Sequence, residues 1–141
     1  MYFDTTYIAK YYLNEPESAA LRGLIRSADA LYSSVWAIPE LDCVFHRHVR
    51  EGAITARTGR ALALLFLNHV NDGLWKLLPA GEPLLRRAGA MAMSAPSRVF
   101  LRTADAVHLT TARDLGESEV WTNDRHMLAA ASHFGLIGRS V

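Results

Sequence analysis

The sequence predicts an α/β fold with a mainly parallel central sheet of four to five strands, covered by helices on both faces. Two observations carry this reading. Short apolar runs alternate with longer stretches of helical periodicity along the whole chain, the pattern of a sheet whose strands are joined by crossover helices. Gly, Pro and Asn punctuate the junctions, and no repeat, linker or low-complexity segment interrupts the 141 residues, so residues 1–141 are expected to form a single domain.

Each element is set by local signals. Met1 to Phe3 reads as a short buried strand ending at Asp4-Thr5-Thr6. A helix from about Thr6 to Leu13 must stop at Asn14-Glu15-Pro16, because the residue before proline is pushed out of the helical region. Ser18 to Ser27 places Leu21, Leu24 and Ile25 on one helix face, and Ala30 to Ser33 is a second strand. Ser34 is expected to open a helix that runs through Glu40 to Arg50 and closes at Gly52. Ala53 to Val70 is helical, with Leu62, Leu65, Phe66 and Val70 on one side. Leu74 to Leu78 is a third strand, and Glu82 to Ala95 a helix ended by Pro96. A helix then begins near Asp105 with Thr103 as its expected N-cap, and turns at Gly116 into a strand over Glu119 to Thr122. Arg125 to Phe134 is a last helix with Gly135 past its end, followed by a short strand from Leu136 to Ile137.

Composition narrows the function classes. The formal net charge of +1 gives no global basic field for nucleic acid and no acidic tail. Thirteen arginines against two lysines, Lys10 and Lys76, suit phosphate contact, although a GC-rich genome accounts for the skew as well. A lone cysteine, Cys43, fits a reducing compartment, and its setting Leu41-Asp42-Cys43-Val44-Phe45 reads as core packing. Asp4 breaks any signal-peptide apolar region, and the longest apolar run, Ala61 to Leu67, is too short to span a bilayer. A cytoplasmic protein without membrane association is the expectation.

The acids carry the chemistry. Asp4 and Asp124 each stand where a strand ends, and Asp105 lies in the first turn of a helix whose Leu109 and Ala112 face the core. Glu40 sits on a helix among Ile38, Leu41, Val44 and Phe45, and Glu is rarely buried without a partner. Singly, each Asp has an ordinary role as a helix cap or first-turn acid. Together they lead toward one sheet edge, where ligands bind in open α/β folds. A like-charged pair at contact distance costs about 4 kcal/mol at an effective dielectric of about 20, and the neighbouring Arg102 and Arg125 cannot offset four acids. A hard divalent cation is the natural counter-ion, since Mg²⁺ and Mn²⁺ favour oxygen ligands.

The blocks Tyr2-Phe3-Asp4-Thr5-Thr6, Ser34 with Glu40, Thr103-Ala104-Asp105-Ala106-Val107-His108-Leu109 and Thr122-Asn123-Asp124 stand in family order over nearly the whole chain. With them the sequence resembles the PIN-domain ribonucleases, specifically the VapC-type toxins of VapBC toxin–antitoxin pairs. The resemblance implies a PIN-like three-layer α/β/α fold and metal-dependent endonucleolytic hydrolysis of RNA that leaves 5′-phosphate and 3′-hydroxyl ends. It implies Mg²⁺ or Mn²⁺ as cofactor, a VapB-type antitoxin as partner, and a homodimer. Asp4, Glu40, Asp105 and Asp124 take the place of the family's metal-binding catalytic acids, with Thr5, Thr122 and Asn123 supporting them. His108 falls to a structural or supporting role. Pro39, directly before Glu40, departs from the pattern: either the helix starts near Pro39 or Glu40 is swung from its usual place.

Rival classes fit less well. A phosphoacceptor receiver domain needs a lysine near its last strand, and a haloacid-dehalogenase-type phosphatase needs a second Asp where Thr6 stands. No G-x-x-x-x-G-K-[ST] run exists for nucleotide phosphates. The remaining alternative is a non-catalytic PIN-like module that binds RNA or a partner. His46-Arg47-His48-Val49-Arg50 reads as a phosphate grip or a solvated helix face, and Tyr7, Tyr11 and Tyr12 as packing or base-stacking residues. Trp36 and Trp121 are expected in the core.

Overall fold

A computed structural model describes residues 1–141. The strands are β1 (Tyr2–Phe3), β2 (Leu31–Ser34), β3 (Trp75–Leu78), β4 (Glu119–Trp121) and β5 (Ile137–Arg139). The helices are α1 (Thr5–Tyr12), α2 (Ser18–Ser27), α3 (Ala37–Arg50), α4 (Ala56–Asn71), α5 (Glu82–Ser94), α6 (Thr103–Leu115) and α7 (Arg125–Ala130), the last continued by a 3₁₀ turn over Ala131–Phe134. The five strands form one sheet in the order β3-β2-β1-β4-β5, and every pairing is parallel.

The three layers arise from the alternation of side chains along β1. Successive residues of a strand face opposite sides of the sheet. Tyr2 therefore packs with Ala106, Val107, Leu109, Val120, Met127 and Phe134 beneath α5, α6 and α7. Phe3 packs with Tyr7, Ile8, Leu21, Leu41, Phe45, Phe66 and Trp75 beneath α1 to α4. Tyr2 and Phe3 are both wholly buried, so β1 is the spine on which both cores rest. No helix is long and apolar enough to cross a membrane.

Several boundaries differ from the sequence reading, each for a local reason. Ser34 stays in β2, where its hydroxyl accepts from Trp36 N, and α3 begins only at Ala37. Helix α4 begins at Ala56, not Ala53, because Thr55 caps it by accepting from Thr58 N. Thr103 is not a cap but the first residue of α6. The cap position belongs to Arg102, whose backbone N–H donates to the Asp105 carboxylate at 3.1 Å. Cys43 is exposed, since Leu41 and Phe45 on either side of it take the buried stripe of α3. Trp36 and Trp121 are only half-buried, on opposite cores.

Chain order puts a crevice at the centre of the sheet. The path from β1 to β2 and β3 builds to one side, and the chain then crosses back to place β4 on the other side of β1. The carboxyl ends of β1 and β4 thus flank a topological switch point, the usual place for a ligand in a doubly wound sheet.

Candidate active site

Four segments deliver an acid to that crevice. β1 ends at Asp4, and the loop after β4 carries Asp124. The first turns of α3 and α6 supply Glu40 and Asp105. All four line one cleft of about 460 Å³, together with Thr5, Thr6, Trp36, Cys43, Arg102, His108 and Met127.

Asp4 is 4 % exposed and caps α1, accepting from Tyr7 N at 3.0 Å. Thr6 Oγ1 donates to its two oxygens at 2.8 and 2.9 Å, and Thr122 Oγ1 donates to Oδ2 at 2.6 Å. Burial pushes the Asp4 carboxyl above the usual carboxylate range, and these donors, Thr122 foremost, offset part of that. The Thr122 hydroxyl also accepts from Asp124 N at 2.9 Å, so one wholly buried side chain ties two of the acids together. Asp124 spends Oδ1 on α7, accepting from the N–H groups of His126 at 2.8 Å and Met127 at 3.3 Å. Burial acts to raise its pKa, but the hydrogen bond from Arg102 and the α7 amides hold it below the usual value.

Glu40 is positioned by its neighbours across the sheet. Thr5 Oγ1 donates to Oε2 at 2.6 Å, and His108 Nε2 lies 2.7 Å from the same oxygen. An ionised carboxylate only accepts, so Nε2 donates to it, while Nδ1 lies 2.9 Å from the Tyr2 phenol oxygen on the other side of the ring. A buried chain Tyr2–His108–Glu40 therefore runs from the centre of the sheet to the cleft. Desolvation acts to raise the Glu40 pKa, but the bond to His108 and its charge, with Thr5 and Arg102, hold it below the usual range.

Pro39 does not displace Glu40. The first amides of a helix have no intrahelical acceptor, and Pro39 is the third residue of α3, so its missing N–H costs nothing. The first intrahelical bond of α3 is Glu40 N to Trp36 O. The proline ring thus sits at the helix start without disturbing the turn that presents Glu40.

Comparison with known families places the chain as a whole. A PIN domain family model matches residues 1–132. The chain belongs to the PIN-domain family. Within it the likeness is to the VapC-type ribonucleases. The chain is similar to Ribonuclease VapC46 of Mycobacterium tuberculosis, with 32% identity over 139 residues that span 96% of this chain and 93% of that protein. In fold it is similar to the crystal structure of Mycobacterium tuberculosis VapC20, described as a sarcin–ricin loop cleaving toxin. That match has a TM-score of 0.71 and 17% identity, and covers 92% of this chain and 93% of that one. The α/β/α architecture and parallel sheet expected from the sequence are those of this PIN domain.

Of the supporting residues expected from the sequence, Thr5 and Thr122 touch the acids and Asn123 does not. The Asn123 carboxamide oxygen accepts from Ser140 Oγ at 2.7 Å, facing the end of β5. The basic cluster on α3 is largely a solvated face: His46, Arg47 and Arg50 are exposed, and His48 leans on the Val44 carbonyl and Glu15. Tyr7 is wholly buried, and the Tyr12 hydroxyl accepts from Trp75 Nε1, so these aromatics pack the PIN core.

Sequence reasoning underrated two groups. Arg102 lies in the cleft, not beside it, donating to both Asp105 and Asp124. His108 is an anchor for Glu40, a role visible in the sequence only as a histidine three residues after Asp105. The donor set of the cleft is four carboxylates, the chemistry that suits a hard divalent ion. In this arrangement, however, no three acidic, histidine or cysteine side chains are placed to hold a metal ion together.

Proposed function

We propose that this chain is a divalent-metal-dependent endoribonuclease, using Mg²⁺ or Mn²⁺, and the toxin of a toxin–antitoxin pair. Asp4, Glu40, Asp105 and Asp124 are its metal-binding catalytic acids. The observation that carries this reading is the gathering of four carboxylates from separate segments into one cleft at the sheet's switch point, opposed by a single guanidinium. The sequence likeness to Ribonuclease VapC46 supports RNA as the substrate and a VapB-type antitoxin as the partner.

When bound, a divalent ion supplies charge stabilisation at a phosphoryl group and lowers the pKa of a water. The protein's own residues do the rest. Asp105 and Asp124, each at the positive end of a helix, hold their charge at the cleft wall. Thr122 and Thr6 fix the Asp4 carboxylate so that it need not reorganise when a ligand arrives. The Tyr2–His108 chain keeps Glu40 ionised and aimed at the opening, and the buried ring of His108 closes the floor to water. Cleavage leaves a 5′-phosphate and a 3′-hydroxyl. The enzyme works in the cytoplasm, as a homodimer, until the antitoxin covers the cleft.

The test is cleavage of end-labelled RNA with Mg²⁺ or Mn²⁺ and with excess EDTA. Cleavage is expected only with the ion, and Asp105→Asn is expected to abolish it while circular dichroism stays unchanged. Cleavage that persists in EDTA refutes the metal mechanism. One observation favours a second reading, a PIN module that binds RNA or a partner without cutting: Arg102 already pairs with two of the acids. RNA binding without cleavage at any ion concentration would establish that reading instead.

A further inference from the structure

The cleft contains a cation of its own. Arg102 Nε donates to Asp105 Oδ2 at 3.0 Å and Nη2 to Asp105 Oδ1 at 3.1 Å, a two-pronged fork, while Nη2 also donates to Asp124 Oδ2. Both Asp105 oxygens are engaged by this one side chain, and Asp124 divides its oxygens between the α7 amides and Arg102. The two oxygens with acceptor capacity to spare, Asp105 Oδ1 and Asp124 Oδ2, both face the same Arg102 Nη2, so an ion bridging them would take the place of that group. The guanidinium is itself about half exposed, at 52%, whereas its partners are 8% and 17% exposed. It has room to swing out to water, whereas the carboxylates are held in the cleft wall.

We propose that Arg102 is a resident counter-ion: it locks Asp105 and Asp124 in an ion-free state, and a divalent ion binds only by displacing it. This rests on the reading of the cleft as a cation site. Seating of the guanidinium and occupancy by the ion are mutually exclusive, so they are linked: whatever weakens one strengthens the other. The arrangement explains how Asp105 and Asp124 sit side by side before an ion arrives, and it makes the ion compete with the guanidinium for them. Once displaced, the guanidinium stays tethered beside the cleft.

The test is Mn²⁺ binding by calorimetry to the wild-type protein, R102Q, R102K and D105N, alongside thermal melts in EDTA. R102Q is expected to bind Mn²⁺ about tenfold more tightly, the factor that about 1.4 kcal/mol of coupling produces. Its ion-free form is expected to melt lower than wild type and to gain more on Mn²⁺ addition. R102K keeps the charge but loses the fork, so it falls between the two, and it carries the test if R102Q fails to fold. An affinity in R102Q and R102K equal to or weaker than wild type overturns the proposal. If D105N alone loses the ion and Arg102 variants are indifferent, only this inference fails. If no variant and no wild-type protein binds Mn²⁺, the cation-site reading fails and this proposal with it.

Discussion

Thr122→Val deletes one hydroxyl and keeps the shape of the side chain. That hydroxyl donates to Asp4 Oδ2 at 2.6 Å and accepts from Asp124 N at 2.9 Å, and the residue is wholly buried. Its loss removes a hydrogen bond to a charged group, worth about 1.5–3 kcal/mol, and leaves the Asp124 amide without its acceptor. Allowing for relaxation, a destabilisation of about 2–4 kcal/mol is expected in the ion-free protein, a fall in Tm of roughly 5–12 °C for a chain of this size. The sign of its pH dependence is set by Asp4. Burial raises the folded-state pKa of Asp4 above its unfolded value, so the stability it contributes is fully present below the unfolded pKa and is lost as pH rises through the folded one. Thr122 is the chief group opposing that loss. The variant's deficit is therefore expected to be larger at pH 7 than at pH about 4, where a protonated Asp4 needs the donor less. Urea melts at the two pH values in EDTA measure it. A deficit equal at both, or no deficit at all, would refute the claim that this hydroxyl holds the charged form of Asp4.

Glu40 and Asp124 behave in the opposite sense. Both have folded pKa values held down, so their contribution is present above the unfolded pKa and lost as pH falls through the folded value. Glu40→Gln should accordingly flatten the loss of ion-free stability on acidification below pH about 4.5, measured by thermal melts; an unchanged acid limb would contradict the His108 pairing. Pro39→Ala should change stability by no more than about 1 kcal/mol and leave RNA cleavage intact, because no helical hydrogen bond is regained at the third residue of α3. A large loss of cleavage with unchanged stability would mean that the ring, and not the helix start, aims Glu40.

The order of strands and helices was legible from one sequence because it is written in local periodicity: paired Tyr2 and Phe3, the stripe Leu41–Phe45, the stops at Pro16, Pro96 and Gly135. The four acids were legible too, as charges at the ends of apolar runs where a core has no use for them. Cap positions were read less well. Thr103 and Ser34 each looked like a helix start, but helices begin where the backbone leaves the sheet, and that depends on partners far away in the chain. Cys43 looked like core for the same reason, since which side of α3 is buried is settled by α1 and α4 packing against it.

What the sequence determined by itself was therefore the inventory: an alternating α/β chain, a parallel sheet, and acids with no obvious partner. Only the tertiary structure decided how those acids are managed. Hydrogen bonds between residues more than a hundred positions apart, Thr122 to Asp4 and Tyr2 to His108, have no local signature, because they exist only once β4 and α6 have packed against β1. The placing of Arg102 between Asp105 and Asp124 is of the same kind: its first partner is three residues away, its second is brought in by the sheet.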